Sequence, residues 1–195
     1  MSNAKSILLV GVGGQGTILA SKILSDGLLS AGYDVKMSEI HGMSQRGGSV
    51  STQIRYAKES VNAPTIGKGE ADVIVAFEKM EALRWIEYLK PGGRMIINDY
   101  EIPSVPILMG VAEYPENILE DLAEKIHIEV LNAAKIATEL GNAKAMNIVL
   151  LGSTIKAMMA GDAEGLADIP WKKIMEANIK PQFLELNLKA FFSRL

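Results

Sequence analysis

The sequence predicts an α/β fold in which helices cover both faces of an open, mostly parallel sheet, as a single domain over residues 5–195. Apolar runs of strand length alternate with amphipathic stretches of helix length along the chain. The first run, residues 6–10, is apolar on both faces, as is typical of a central parallel strand. A glycine-rich turn at residues 11–16 joins this run to the first helix, which makes the predicted arrangement Rossmann-like.

In the first half of the chain, aliphatic residues at three- and four-residue spacing predict a helix over residues 15–31. Alternating apolar residues predict strands at 34–40 and 49–56. A continuous apolar run then predicts a buried strand at 71–77, and the periodicity changes to that of a helix at 78–89.

In the second half, residues 90–93 predict a turn before a strand at 94–98. Residues 102–112 contain three glycine or proline breaks and predict an extended excursion or a hairpin. The remaining predicted elements are a strand at 126–130 and helices at 117–125, 132–140, 144–159 and 183–192. Since strands alternate with helices, we expect binding sites at the carboxyl ends of the strands.

The composition excludes several classes of function. The net charge is −3 and no run of lysine or arginine stands out, so nucleic acid and anionic membranes are poor candidate partners. The absence of cysteine excludes disulfides, thiol nucleophiles and cysteine-ligated zinc or iron–sulfur clusters within this chain. Glycines interrupt the N-terminal apolar run after a few residues, so we expect neither a secretory signal nor a membrane span, and a cytoplasmic protein.

The first candidate site is the turn formed by Gly13, Gly14, Gln15 and Gly16. It contains more glycine than a tight strand-to-helix turn requires, which favours close contact between backbone N–H groups and an anion. Gln15 stands at the start of the helix, where we expect it to hydrogen-bond a ligand or a partner chain. The alternative is a tight turn that binds nothing.

A dinucleotide site of this type requires more than the glycines. It needs a helix after the second strand and an acidic residue at the end of that strand to hold a ribose. Glu39 is roughly placed, but residues 41–48 do not resemble a second crossover helix. A self-contained NAD(P)- or FAD-dependent oxidoreductase and a non-catalytic nucleotide-binding module therefore stay open as alternatives.

The second candidate site is the polar, glycine-rich segment that contains Ser44, Gln45, Arg46, Gly47 and Gly48. Its side chains and backbone offer donors to an anion, and the guanidinium of Arg46 suits a phosphate or carboxylate because it binds in a bidentate manner. We predict that both glycine-rich segments follow adjacent strands and therefore lie side by side. The alternative is an exposed loop without a ligand.

Other residues give weaker predictions. His41 is one of two histidines and is a candidate for an acid–base or contact role, although the sequence favours an ordinary loop histidine. A role for Asp99, just past a strand end, is left open. No metal site is expected, because neither histidine has a carboxylate at ligand spacing.

Several segments resemble the gamma-type domain of the 2-oxoacid:ferredoxin oxidoreductases, in particular those that act on indolepyruvate. The resemblance spans residues 5 to 192 and is most specific in the run His-Gly-Met-Ser-Gln-Arg-Gly-Gly. The segments that carry it are residues 11–16, 38–50, 69–73, 77–84, 147–152 and 187–191.

This resemblance implies an accessory subunit of an enzyme that oxidatively decarboxylates a 2-oxoacid, joins the acyl group to coenzyme A and passes two electrons to ferredoxin. It implies that thiamine diphosphate and the iron–sulfur clusters reside on a larger alpha subunit, and that this chain is inactive alone. Carried onto this sequence, residues 13–16 and 44–48 are the positions expected to contact coenzyme A or the partner chain. The sequence leaves open whether the isolated chain forms a homodimer.

Overall fold

The computed structural model of the protein describes residues 4–42, 47–160 and 165–195. Within these ranges, six strands form one sheet in the order β2-β3-β1-β4-β5-β6. They are β1 (Lys5–Val12), β2 (Asp34–His41), β3 (Ser49–Ala57), β4 (Ala71–Ala76), β5 (Leu89–Asn98) and β6 (His127–Leu131). Only β3 runs against the others in this sheet, because it pairs antiparallel with β1 and β2. The pairs β1–β4, β4–β5 and β5–β6 are parallel, so the predicted α/β fold with a mostly parallel sheet is confirmed.

The helices cover both faces of the sheet, as predicted. The apolar cluster on one face includes residues of α1, α5, α6, α7 and α8, and the cluster on the other face includes residues of α2 and α4. The helices are α1 (Thr17–Ser30), α2 (Lys79–Trp85), α3 (Val105–Leu108), α4 (Ile118–Ala123), α5 (Ala133–Glu139), α6 (Met146–Met159), α7 (Trp171–Asn178) and α8 (Pro181–Phe192). Among the described residues, no helix has the length and apolar character needed to cross a membrane.

Strand β1 shows why this sequence needs both layers of helices. Successive side chains of a strand point to opposite faces. Ile7 and Leu9 belong to one apolar cluster, Leu8 and Val10 belong to the other, and all four are buried. Burying an aliphatic side chain of this size contributes about 1.5–3 kcal/mol, so neither face of β1 is stable without its cover of helices.

Three local expectations are corrected by the structure. Residues 90–93 belong to β5, where an irregular register with β4 accommodates the glycines. Residues 102–112 do not form a hairpin but contain the short helix α3, which has a proline in its first turn. Helix α7 was not predicted, although Trp171 and Met175 are buried on one side of it.

Candidate functional site

The two glycine-rich segments meet at the carboxyl edge, the edge of the sheet at which β1, β2, β4, β5 and β6 end. The N–H of Gly13 donates a hydrogen bond to the carbonyl oxygen of Gly48, with 2.9 Å between the nitrogen and the oxygen. The predicted proximity is therefore correct, but the predicted reason is wrong. Strand β2 does not lie beside β1; the chain folds back after β2, and β3 lies between them.

The structure locates part of the second segment. Gly47 is exposed with a φ of +80°, a left-handed conformation that favours glycine, and Gly48 is half-buried beside the first turn. Ser44, Gln45 and Arg46 lie outside the described residues, so their expected contacts stay predictions.

Gln15 faces inward. Its side chain is 6% exposed, and its Oε1 accepts a hydrogen bond from the backbone N–H of Val12 at 2.7 Å. Its Nε2 donates to the carbonyl oxygen of Phe77 at 2.9 Å. Both polar ends of this side chain thus tie the turn to the ends of β1 and β4, which is a bracing position and not the outward one expected from the sequence.

Helix α1 begins at the turn in a way that suits an anion. Its N-cap is Gly16, which has a φ of +80° and provides no side-chain cap, and its first turn contains no acidic residue. The first N–H groups of a helix lack partners within the helix, and the helix dipole makes that end attractive to negative charge. Asn147 of α6 fixes the turn from behind, because its Nδ2 donates to the carbonyl oxygen of Gly16 at 3.2 Å.

A cavity of about 430 Å³ opens beside this turn, between α1 and the end of the β2–β3 pair. His41 is exposed on its wall, with its Nδ1 3.5 Å from the carbonyl oxygen of Gly42. The cavity is lined by Gly13, Gly14, Gly16, Thr17, Ile18, Glu39, Ile40, His41, Val50, Ser51 and Thr52. Backbone N–H groups at a helix end and aliphatic walls can together hold a molecule with an anionic group and an apolar chain.

A buried carboxylate on α2 holds the start of β3, directly after the second segment. Glu81 of α2 is almost fully buried and accepts hydrogen bonds from the hydroxyl of Ser49 and, at 3.3 Å, from Nε1 of Trp85. Burial raises the pKa of the Glu81 carboxyl, and the bonds from Ser49 and the charge of Arg84 oppose that rise. Sequence analysis missed this anchor. The three-residue spacing of Glu78 and Glu81 offered one signal, because Glu78 caps α2 by accepting from the N–H of Glu81.

Asp99 lies apart from this cavity. Its carboxylate is 3.4 Å from the ammonium of Lys79, which also pairs with Glu101. Within the described residues, no group of three or more histidine or carboxylate side chains is placed to hold a metal ion. Asp99 therefore adds nothing to the site around the glycine turn.

The fold and the glycine turn define a class of protein that comparison with known families identifies. A family model described as "Pyruvate ferredoxin/flavodoxin oxidoreductase" matches residues 6–193. The chain therefore belongs to the pyruvate ferredoxin/flavodoxin oxidoreductase family. It is 38% identical, over 192 residues, to the indolepyruvate oxidoreductase subunit IorB of Thermococcus kodakarensis, and the match covers 95% of this chain and 92% of that one. The resemblance found in the sequence is confirmed.

Solved structures share the fold. The pyruvate oxidoreductase subunit PORC of Thermotoga maritima matches with a TM-score of 0.70 and 21% identity, covering 97% of this chain and 94% of that chain. The 2-oxoglutarate:ferredoxin oxidoreductase of Magnetococcus marinus matches with a TM-score of 0.70 and 19% identity. That match covers 99% of this chain but 30% of the other, so there the same fold is one part of a much longer chain.

Proposed function

We propose that this chain is the accessory subunit of a 2-oxoacid:ferredoxin oxidoreductase that acts on indolepyruvate and similar aryl pyruvates. The observation that carries the proposal is the 38% identity to an indolepyruvate oxidoreductase subunit over nearly the full length of both chains. In this proposal, residues 5–195 act as one domain in a cytoplasmic complex. The complex oxidatively decarboxylates the 2-oxoacid, transfers the acyl group to coenzyme A and passes two electrons to ferredoxin.

The division of labour follows from the residues present. Cysteine thiolates are the usual ligands of iron–sulfur clusters, and this sequence has no cysteine. The clusters are therefore assigned to a larger alpha subunit, which also passes electrons to ferredoxin. Thiamine diphosphate is assigned to the same subunit on the basis of the family resemblance. This chain contributes the cavity at the carboxyl edge and the backbone N–H groups at the start of α1.

The cavity beside Gly16 fits coenzyme A by its chemistry. A phosphate of coenzyme A would meet the N–H groups at the start of α1, where no side-chain cap and no first-turn carboxylate compete. The pantetheine arm would lie along aliphatic wall residues such as Ile18 and Ile40, which are both exposed to solvent. Arg46, Ser44 and Gln45 would add donors from the neighbouring segment.

The topology supports this proposal over a dinucleotide-dependent enzyme. The ribose of a dinucleotide is held by an acidic residue at the end of the strand beside β1. Glu39 lies on β2, with β3 between it and β1, so it is about one strand spacing of roughly 5 Å farther from the glycine turn than that role requires. The features in favour of the NAD(P) and FAD alternative are the glycines and Glu39, which lines the same cavity from β2.

The test is reconstitution. The purified chain is assayed with indolepyruvate, coenzyme A, thiamine diphosphate and ferredoxin, alone and with its cognate larger subunit. We expect turnover only with both chains, and less turnover with pyruvate or 2-oxoglutarate. Robust turnover by this chain alone would refute its role as an accessory subunit.

Arg46→Ala tests the coenzyme A contact within the same assay. A charged hydrogen bond is worth about 1.5–3 kcal/mol, so we expect the KM for coenzyme A to rise by roughly 10- to 100-fold. The control is Lys172→Ala, which removes an exposed positive charge from α7. An unchanged KM for coenzyme A in Arg46→Ala would remove Arg46 from the proposed site.

A further inference from the structure

Residues 102–114 form an excursion from the carboxyl edge, after β5 and before α4, and are called the 102–114 segment below. The segment includes α3 and exposes apolar side chains to an unusual degree. Val105 is 66% exposed, Leu108 and Met109 are each 72% exposed, and Val111 is 77% exposed. These are the four most exposed large apolar side chains among the described residues. Clustered exposure of this kind is typical of a binding surface.

One buried carboxylate holds both ends of the segment. Glu78 is 1% exposed, and its Oε1 accepts from the N–H of Ile102 at 3.2 Å, where the segment begins. The same oxygen accepts from the hydroxyl of Tyr114, where the segment ends. The Tyr114 hydroxyl in turn accepts from the N–H of Met80 at 3.1 Å. The base of the segment is thus fixed to α2.

Backbone hydrogen bonds within the 102–114 segment also hold the turn that contains α3. The N–H of Val111 donates to the carbonyl oxygen of Pro106 at 2.9 Å, and the N–H of Leu108 donates to that of Ser104 at 3.0 Å. Gly110 has a φ of +70°, which lets the chain turn back after α3. The exposed apolar residues are therefore presented on an ordered structure, and a partner that binds them has less conformational entropy to remove.

The charge around the segment is one-sided. Residues 99–121 contain six acidic residues and no lysine, arginine or histidine. All of them except Asp99 are exposed. The acidic residues are Asp99, Glu101, Glu113, Glu116, Glu120 and Asp121. Lys79 neutralises the first two, and the other four make no salt bridge within the described part of the chain.

We propose that the 102–114 segment is the site at which this chain docks onto its larger partner subunit, and that the partner presents an apolar socket rimmed by arginine and lysine. This inference rests on the proposed function. The acidic surroundings argue against a second copy of this chain as the occupant. In a symmetric pair the same patch meets itself, which would bring two acidic rims together.

The position of the segment fits this occupant. It follows β5 at the carboxyl edge, the same edge at which the glycine turn and its cavity lie. A partner seated on the segment would therefore lie at the edge that the proposed function requires it to reach. In the Magnetococcus marinus enzyme the same fold is continuous with a longer chain, so attachment to a larger body has a structural precedent in this fold.

The test measures the affinity of the full chain for its cognate larger subunit by titration. Leu108→Asp places a charge in the proposed socket, and we expect the affinity to fall by about 30-fold or more, the loss typical of a hot-spot residue. Leu29→Asp is the matched control, because Leu29 is 53% exposed near the C-terminal end of α1, which runs away from the carboxyl edge. We expect it to bind within about threefold of the unaltered chain.

A charge reversal and the salt dependence of association complete the test. Glu113→Lys is expected to slow association, and the association rate of the unaltered chain is expected to fall as salt is added. Circular dichroism and melting temperatures show whether each variant is folded. If Leu108→Asp and a second variant, Val111→Asp, are folded and bind as tightly as the unaltered chain, the docking site is wrong while the proposed function stands.

Two other outcomes separate the proposals. If the isolated chain is a dimer that Leu108→Asp converts to a monomer, the occupant is a second copy and the inference is overturned. If the unaltered chain does not assemble with the larger subunit, the proposed function itself fails.

Discussion

Substituting Gln15 distinguishes a bracing side chain from a ligand contact. In the structure, its amide joins the N–H of Val12 to the carbonyl oxygen of Phe77, across the ends of two strands. Replacing Gln15 with alanine removes both hydrogen bonds. The loss affects the two backbone groups differently. The Phe77 oxygen still accepts a hydrogen bond from Nδ2 of Asn98 at 3.1 Å, whereas the Val12 N–H loses its acceptor on Gln15.

The expected loss in the free energy of unfolding follows from those contacts. Each hydrogen bond contributes about 1 kcal/mol, and a buried donor left without an acceptor costs about 1–3 kcal/mol. We therefore expect Gln15→Ala to lower stability by roughly 2–4 kcal/mol. In a chain of this size, a loss near 3 kcal/mol corresponds to a fall in Tm of roughly 6–12 °C. Gln15→Met keeps most of the side-chain volume but removes the same two hydrogen bonds, so it should lose a similar amount.

The assay is thermal and urea unfolding of the isolated chain, followed by coenzyme A kinetics in the reconstituted complex. Gln182→Ala is the control, because Gln182 is exposed on α8 and should change stability by less than about 0.5 kcal/mol. A Gln15→Ala chain that melts within a degree or two of the unaltered protein, but binds coenzyme A weakly, would show that Gln15 faces a ligand and refute the bracing role.

Three further substitutions test the packing and electrostatics of the chain by the same unfolding measurements. Gly16→Ala should cost about 2 kcal/mol or more, because its φ of +80° strains any side chain and a Cβ there would lie 2.6 Å from Nδ2 of Asn147. Gly27→Ala should cost about 1–3 kcal/mol, since the Cβ would lie 2.3 Å from a ring atom of Trp171. Glu81→Gln should gain stability relative to the unaltered chain as pH rises above about 4.5, because burial raises the pKa of this carboxyl.

The sign of the Glu81 effect follows from proton binding. A carboxyl with a raised pKa in the folded state holds its proton more tightly there than when unfolded. Its contribution is fully present below the ordinary value of 4.5 and is lost as pH rises through the raised pKa. Glu59→Gln, at an exposed position, is the control variant. A flat difference between Glu81→Gln and the unaltered chain from pH 4 to pH 8 would contradict the argument.

Gly16→Ala and Gly27→Ala can each be compared with an independent expectation. Gly14 has a φ of +102° with open space around it, so Gly14→Ala measures backbone strain without the clash that Gly16→Ala adds. For Gly27, helix propensity alone would make alanine better by about 1 kcal/mol. A stabilised Gly27→Ala chain would therefore show that α1 and α7 do not pack as closely as the structure has them.

Local periodicity predicted the elements well where apolar residues decide their structure. Helix α1 and strands β1, β2 and β3 lie within two residues of the predicted bounds. Periodicity carries no information on strand direction, and this is why the reversal of β3 was missed. Helix α7 was missed for a different reason, because it is a short helix in which few residues besides Trp171 and Met175 are buried.

The site was predictable in its location but not in the orientation of its side chains. Four glycines within six residues mark the turn after β1 whatever the rest of the fold does. The inward position of Gln15 depends on Phe77, which is 62 residues away in the chain. The support of Gly16 depends in the same way on Asn147, which is 131 residues away. Contacts at such separations exist only once the sheet and α6 are assembled, so the local sequence does not encode them.

These orientations limit what this chain can contribute to catalysis. At the carboxyl edge, the amides of Gln15 and Asn98 and the carboxylates of Glu78 and Glu81 are each bonded to other groups of the chain. Side chains held in this way brace the turns and are not available to a substrate. The backbone N–H groups at the start of α1, and the buried hydroxyl of Ser51, which lines the cavity without a hydrogen-bond partner, are donors that the described part of this edge leaves for an anion. Redox steps in the proposed complex are therefore expected to depend on the partner subunit, while this chain provides a cavity with His41 exposed on its wall, a helix dipole and a surface for assembly.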